Sequence, residues 1–78
     1  MNEHDARAAV STALLRIVPD ADLEALGDDA VLRTELELDS LDFLSFVEQL
    51  SSSTGRRIEE DDYPSLRTMH SCLDFLAG

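Results

Sequence analysis

From Ser40 to Thr54 the chain runs SLDFLSFVEQLSSST with no glycine or proline, and this stretch constrains the fold more than any other. Phe43, Phe46, Val47 and Leu50 recur at i, i+3, i+4 and i+7, the spacing of a core-facing stripe on a helix. Asp39 is a good N-cap, and Asp42 stands three residues later, where a capping box places its acid. A helix is therefore predicted from about Ser40 to Ser53, with Gly55 as the left-handed residue that closes it. Leu41 and Leu44 fall about 100–160° from the stripe, at 3.6 residues per turn. They stand beside Ser45 and Glu48. A helix buried on one face has no folding reason to put two leucines there. They read as a small docking surface, with Asp42 and Glu48 supplying charge and Ser40 at the helix mouth.

The rest of the chain supplies partners for that helix. Residues 3–18 predict a first helix whose face is Ala6, Ala9, Val10, Ala13, Leu14 and Ile17, ended by Pro19. Residues 19–39 predict a long connection. Its Leu23, Leu26, Val31, Leu32, Leu36 and Leu38 are too many apolar groups to hang in water, so a short helical turn is expected around Ala30–Glu35. Glu59–Asp62 favour the start of a short helix, which Pro64 is expected to terminate. Thr68 caps a last helix with Met69, Cys72, Leu73 and Leu76 on its buried side. The fold class is thus all-α: a small four-helix bundle, three main helices plus a short third one, with a long first loop. Residues 1–78 are read as a single domain.

Charge narrows the function. Seventeen acidic residues stand against six arginines and no lysine, for a formal net charge of −11. Such a chain has little with which to neutralise phosphates, which argues against nucleic acid and anionic membranes as partners. Its field favours basic proteins. A single cysteine, Cys72, allows neither an internal disulfide nor a cysteine-based zinc site and reads as a small buried hydrophobe. No stretch reaches the ~20 apolar residues of a membrane span, and MNEHDARAA lacks the pattern of a signal peptide. A cytoplasmic location and a monomer are expected. His4 and His70 read as surface residues, and no phosphate loop or metal-spaced pair is present. Glu59–Asp62 read as a solvated acidic turn rather than a metal site. Phe43, Tyr63 and Leu66 either line a cleft between the second and third helices or simply fill the core.

Asp39-Ser40-Leu41 resembles the Asp-Ser-Leu signature of the acyl carrier protein family. The likeness extends through Ile58, Glu59–Asp62, Leu66, Thr68 and Met69–Leu76, and so covers nearly the whole chain. It implies that Ser40 is esterified to 4′-phosphopantetheine, with Asp39 and Leu41 as motif flanks, and that acyl groups ride on the arm as thioesters. The implied protein is a stand-alone carrier with no catalytic group of its own. A phosphopantetheinyl transferase would modify it, a loading ligase or transferase would charge it, and synthases would act on the cargo. In that role Leu41, Asp42, Leu44 and Glu48 would dock partners, and Phe43, Tyr63 and Leu66 would shelter an acyl chain. No metal is implied.

Three departures from the fatty-acid carriers point to a dedicated or secondary pathway of fatty-acid or polyketide type. Glu37 stands where those carriers have glycine, which makes a positive backbone angle there unexpected. Ser45, Ser51 and Ser52 stand where acids are usual, and Thr54 replaces an apolar residue. Two alternatives stay open. One is an aminoacyl or peptidyl carrier served by an amino-acid-activating ligase. The other is an unmodified module that docks a partner helix through Leu41 and Leu44.

Overall fold

The computed structural model describes all 78 residues and is helical throughout, without strands. Helix α1 spans Glu3–Ile17. The Asp5 N–H donates to the Asn2 side chain at 2.7 Å, which satisfies one of the free donors of the first turn. Ala6, Val10, Ala13 and Leu14 are buried, and Ala9 and Ile17 pack at the margin of the core. The alanines matter because a small side chain lets two neighbouring helices approach the same face. After Val18 the connection makes a 3-10 turn at Leu23–Ala25 and then the short helix α2, Leu32–Glu35, within the region where a helical turn is expected. Helix α3 spans Ser40–Thr54, and helix α4 spans Met69–Ala77. Helix α1 packs on both. Fifteen buried residues form one cluster, all of them apolar, and no buried polar side-chain atom lacks a partner.

The long connection is tied down by polar contacts that helical periodicity does not reveal. Arg7 donates two hydrogen bonds to the Asp28 carboxylate, at 3.2 and 2.9 Å. That hydrogen-bonded contact holds the Asp28 carboxyl below its usual range and raises the pKa of Arg7. The Asp28 carbonyl accepts from the His70 N–H at 2.9 Å, and the Arg67 carbonyl accepts from the Leu32 N–H at 2.9 Å. Val31 and Thr68 form an isolated antiparallel bridge. The connection is therefore anchored to α1 at Asp28 and to the entry and first turn of α4 at two places, the Val31–Thr68 bridge with its Leu32–Arg67 bond and the Asp28–His70 bond.

Two local expectations are corrected. Pro64 does not terminate the third helix; a 3-10 segment runs through it from Glu60 to Leu66. Proline breaks a regular α-ladder, but its fixed φ near −65° lies within the 3-10 range. Leu66, 1 % exposed, carries the segment onward into the core. Glu37, in turn, does adopt a positive φ, of 53°. It is the left-handed residue of a Schellman turn that closes α2. The Glu37 N–H donates to the Thr34 carbonyl at 3.4 Å, and the Leu38 N–H to the Arg33 carbonyl at 2.9 Å. Burial of Leu38 and half-burial of Leu36 on either side hold the turn despite the missing glycine.

Candidate functional site

Ser40 is the first residue of α3, and it is exposed. Its position follows from the capping box before it. The Asp42 N–H donates to Asp39 Oδ1 at 2.8 Å, and the Asp39 N–H donates back to Asp42 Oδ2 at 3.3 Å. The Phe43 N–H donates to the Asp39 carbonyl at 2.9 Å. These bonds start the helix at Ser40 and leave the N–H groups of Ser40 and Leu41 without protein acceptors. Such free donors, at the positive end of the helix dipole, suit an anion attached at the mouth.

The two sides of α3 divide as its periodicity predicts. Phe43, Phe46, Val47 and Leu50 are buried, whereas Leu41 is 75 % and Leu44 43 % exposed. Glu48 is exposed on the outward side and shares a polar hollow with Arg16, Gln49, Ser52 and Ser53. Asp42 is half-buried because its carboxylate serves the cap. Of the serines in positions where acids are usual, Ser45 and Ser52 are exposed and Ser51 donates to the Arg56 carbonyl at 2.8 Å. Thr54 donates to the Leu50 carbonyl at 2.7 Å and accepts from the Arg56 N–H at 3.2 Å, so its hydroxyl fastens the end of α3.

Beside Ser40 lies an open cavity of about 620 Å³. Val31, Arg33, Thr34, Ser40, Phe43, Leu44, Tyr63, Pro64 and Arg67 line it. The Tyr63 and Phe43 rings meet edge to face, centroids 5.4 Å apart, and Arg33 sits 5.2 Å from the Phe43 centroid. Phe43 and Tyr63 therefore share one cavity, but Leu66 lies in the core and does not line it. The cavity opens to the surface rather than into the bundle. No histidine, cysteine or carboxylate lines it. Arg33, Arg67, Val31 and Thr34 were not singled out in the sequence, because only the docking of the connection against Arg67 and Thr68 brings them to Ser40.

The remaining candidates lie elsewhere. His4 and His70 are exposed, the latter with its Nε2 3.4 Å from Asp74. Cys72 is fully buried, and burial pushes its thiol up to about 12. Asp62 accepts from the Glu59 N–H at 3.0 Å, and Glu59 pairs with Arg57 at 2.7 Å, so this acidic turn is engaged in its own capping. No group of three or more histidine, cysteine or acidic side chains is arranged to hold a metal ion. No helix is long and apolar enough to cross a membrane.

Comparison with known proteins adds to this geometry. No curated protein matches the chain. The model of one family, described as the phosphopantetheine attachment site, matches residues 8–73. Most of α1, the connection, α2, α3, the 3-10 segment and the first half of α4 fall inside the match. The chain therefore belongs to the family of phosphopantetheine-attachment carrier domains, which bear 4′-phosphopantetheine covalently.

Proposed function

We propose that Ser40 is the residue that bears the arm, and that the protein is a stand-alone acyl carrier presenting thioesters to partner enzymes. The observation that carries this reading is the exposed hydroxyl at the first position of a capped helix, beside a cavity free of carboxylates. Ser40 Oγ gives up its proton and takes the phosphopantetheinyl group of coenzyme A, and the pyrophosphate linkage breaks to release adenosine 3′,5′-bisphosphate. The free N–H groups of Ser40 and Leu41 would favour the negative charge of a phosphodiester attached there, at the positive end of the helix dipole. When bound, the group supplies a thiol on a flexible tether. The protein contributes position: a tethered acyl group reaches a docked active site at an effective concentration on the order of millimolar.

Partners would read the outer side of α3. Leu41 and Leu44 offer an exposed apolar pair, while Glu48 and the wider charge of −11 attract basic surfaces. The partners are a phosphopantetheinyl transferase, a loading ligase or transferase, and downstream synthases, working in the cytoplasm as part of a dedicated fatty-acid or polyketide-type pathway. The outward Ser45 and Ser52, uncharged where acids are usual, support a partner set distinct from that of the fatty-acid carriers.

The test is intact-mass spectrometry after incubation with coenzyme A and a broad-specificity transferase. Wild-type protein should gain one phosphopantetheine and Ser40→Ala none. Equal gain by the variant, or none by the wild type, rejects the assignment.

A further inference from the structure

Residues 19–30, the first part of the connection, are held to the other helices by hydrogen bonds at one residue. No side chain in this stretch is buried, and its apolar contact with the core comes from Leu23 and Leu26, both only half-buried. Its own backbone bonds are local. The N–H groups of Ala21, Ala25, Leu26 and Ala30 each donate to the carbonyl three residues earlier, at 3.1 to 3.3 Å. Every hydrogen bond that leaves the stretch for another helix passes through Asp28. Its carboxylate accepts two from Arg7 of α1, at 3.2 and 2.9 Å, and its carbonyl accepts one from the His70 N–H of α4, at 2.9 Å.

Charge works against this stretch everywhere except at that residue. It holds Asp20, Asp22, Glu24, Asp28 and Asp29 and no arginine, in a chain whose net charge is already −11. Repulsion from the rest of the body therefore favours its departure. Arg7 is the cation paired with it, and both side chains of that pair are almost half exposed, at 43 % and 47 %, so the contact is weak. The two ends are firmer. Before the stretch, the Val18 N–H donates to the Leu14 carbonyl at 2.8 Å and continues the ladder of α1. After it, the Val31–Thr68 bridge and the buried Leu32 fix the chain again.

We propose that residues 19–30 are a strap with a single latch, Asp28, and that the strap opens as a unit while α1, α3 and α4 stay packed. Opening breaks the Arg7 and His70 bonds together, because both end on one residue, and it uncovers Leu23 and Leu26 at the edge of the core. Val18 and Val31 stay in place and bound the moving segment. Local opening of this kind belongs to segments with little buried apolar surface and few bonds to their surroundings, and both conditions are met here. The device depends on the Arg7–Asp28 contact and not on which residue carries the arm.

Native-state hydrogen exchange on the full chain tests it. The His70 amide reports the latch, since its acceptor is the Asp28 carbonyl, and the Leu50 amide within α3 reports opening of the whole molecule. Arg7→Gln should speed exchange at His70 roughly two- to fivefold, the range of an exposed ion pair, and leave Leu50 unchanged. Cleavage after Glu24 by a glutamate-specific protease, located by mass, should rise by the same factor. The exchanged pair Arg7→Asp with Asp28→Arg should bring both rates back to within about twofold of wild type, as a direct interaction between the two residues requires. Equal acceleration at His70 and Leu50 would overturn the proposal, because the strap would then open only with the whole fold. So would unchanged exchange at His70 in Arg7→Gln, or an exchanged pair no slower than the single variant.

Discussion

Asp39 and Asp42 cap one another. Each carboxylate accepts the backbone N–H of the other residue, at 2.8 and 3.3 Å, and Ser40, exposed, lies between them in the chain. The acids around the serine thus have structural work apart from any partner. Asp39→Ala should lower stability by about 1 kcal/mol, as loss of an N-cap commonly does. A shift of the urea midpoint at constant slope measures it. An unchanged midpoint would mean that α3 starts without help from the box.

The exposed and buried sides of α3 should respond differently. Leu41→Ala, at a side chain 75 % exposed, should change stability by no more than about 0.5 kcal/mol. Phe46→Ala, at a side chain with no exposure, should cost about 3–5 kcal/mol. Calorimetry on the two variants decides, and similar losses would contradict a free Leu41 surface.

Glu37 carries a residue with a Cβ at a φ of 53°. The left-handed region costs an ordinary residue about 1–2 kcal/mol, partly offset in glycine by greater freedom of the unfolded chain. Glu37→Gly should therefore stabilise the protein by about 0.5–1 kcal/mol, and β-branched Glu37→Val should destabilise it. Denaturant midpoints of the pair check both signs.

Cys72 makes stability fall in alkali. Its folded pKa is raised to about 12 from an ordinary 9.0, because burial disfavours the thiolate. The unfolded chain loses the proton first, so the contribution is fully present below pH 9 and is lost between pH 9 and about 12. Cys72→Ala should flatten that part of the pH–stability curve. Reaction of the thiol with an alkylating reagent should likewise track unfolding.

Net charge of −11 on so small a body opposes compaction, with two arginine–carboxylate pairs, Arg7–Asp28 and Arg57–Glu59, to relieve it. Raising sodium chloride from roughly 10 to 150 mM shortens the Debye length from about 30 to 8 Å and should raise the melting temperature. A melting temperature independent of salt would show that the acids are spaced beyond mutual influence.

Much of the molecule was legible because its signals are local. Caps at Asp39 and Thr68, the stripe from Phe43 to Leu50, the alanine-rich face of α1 and the left-handed Gly55 all act within one or two helical turns, and each is where the spacing predicts. Short-range rules also exposed Ser40, Leu41 and Leu44. The misjudged positions answered to burial beyond their own turn. Leu66 draws the chain past Pro64 into the core, and Leu36 and Leu38 hold Glu37 in the left-handed region.

By itself, then, the sequence determined the helices, their caps, the apolar faces and the hydroxyl at the head of α3, since hydrogen bonds and side-chain spacing over three or four residues are enough for these. Only tertiary structure decided what surrounds that hydroxyl. Arg33 and Arg67 come to line one cavity with Ser40 because the Leu32 N–H bonds the Arg67 carbonyl within the Val31–Thr68 bridge, and because Arg7 and His70 grip Asp28 from two helices. Contacts between residues so distant in the chain form only once the core has packed and brought their backbones together.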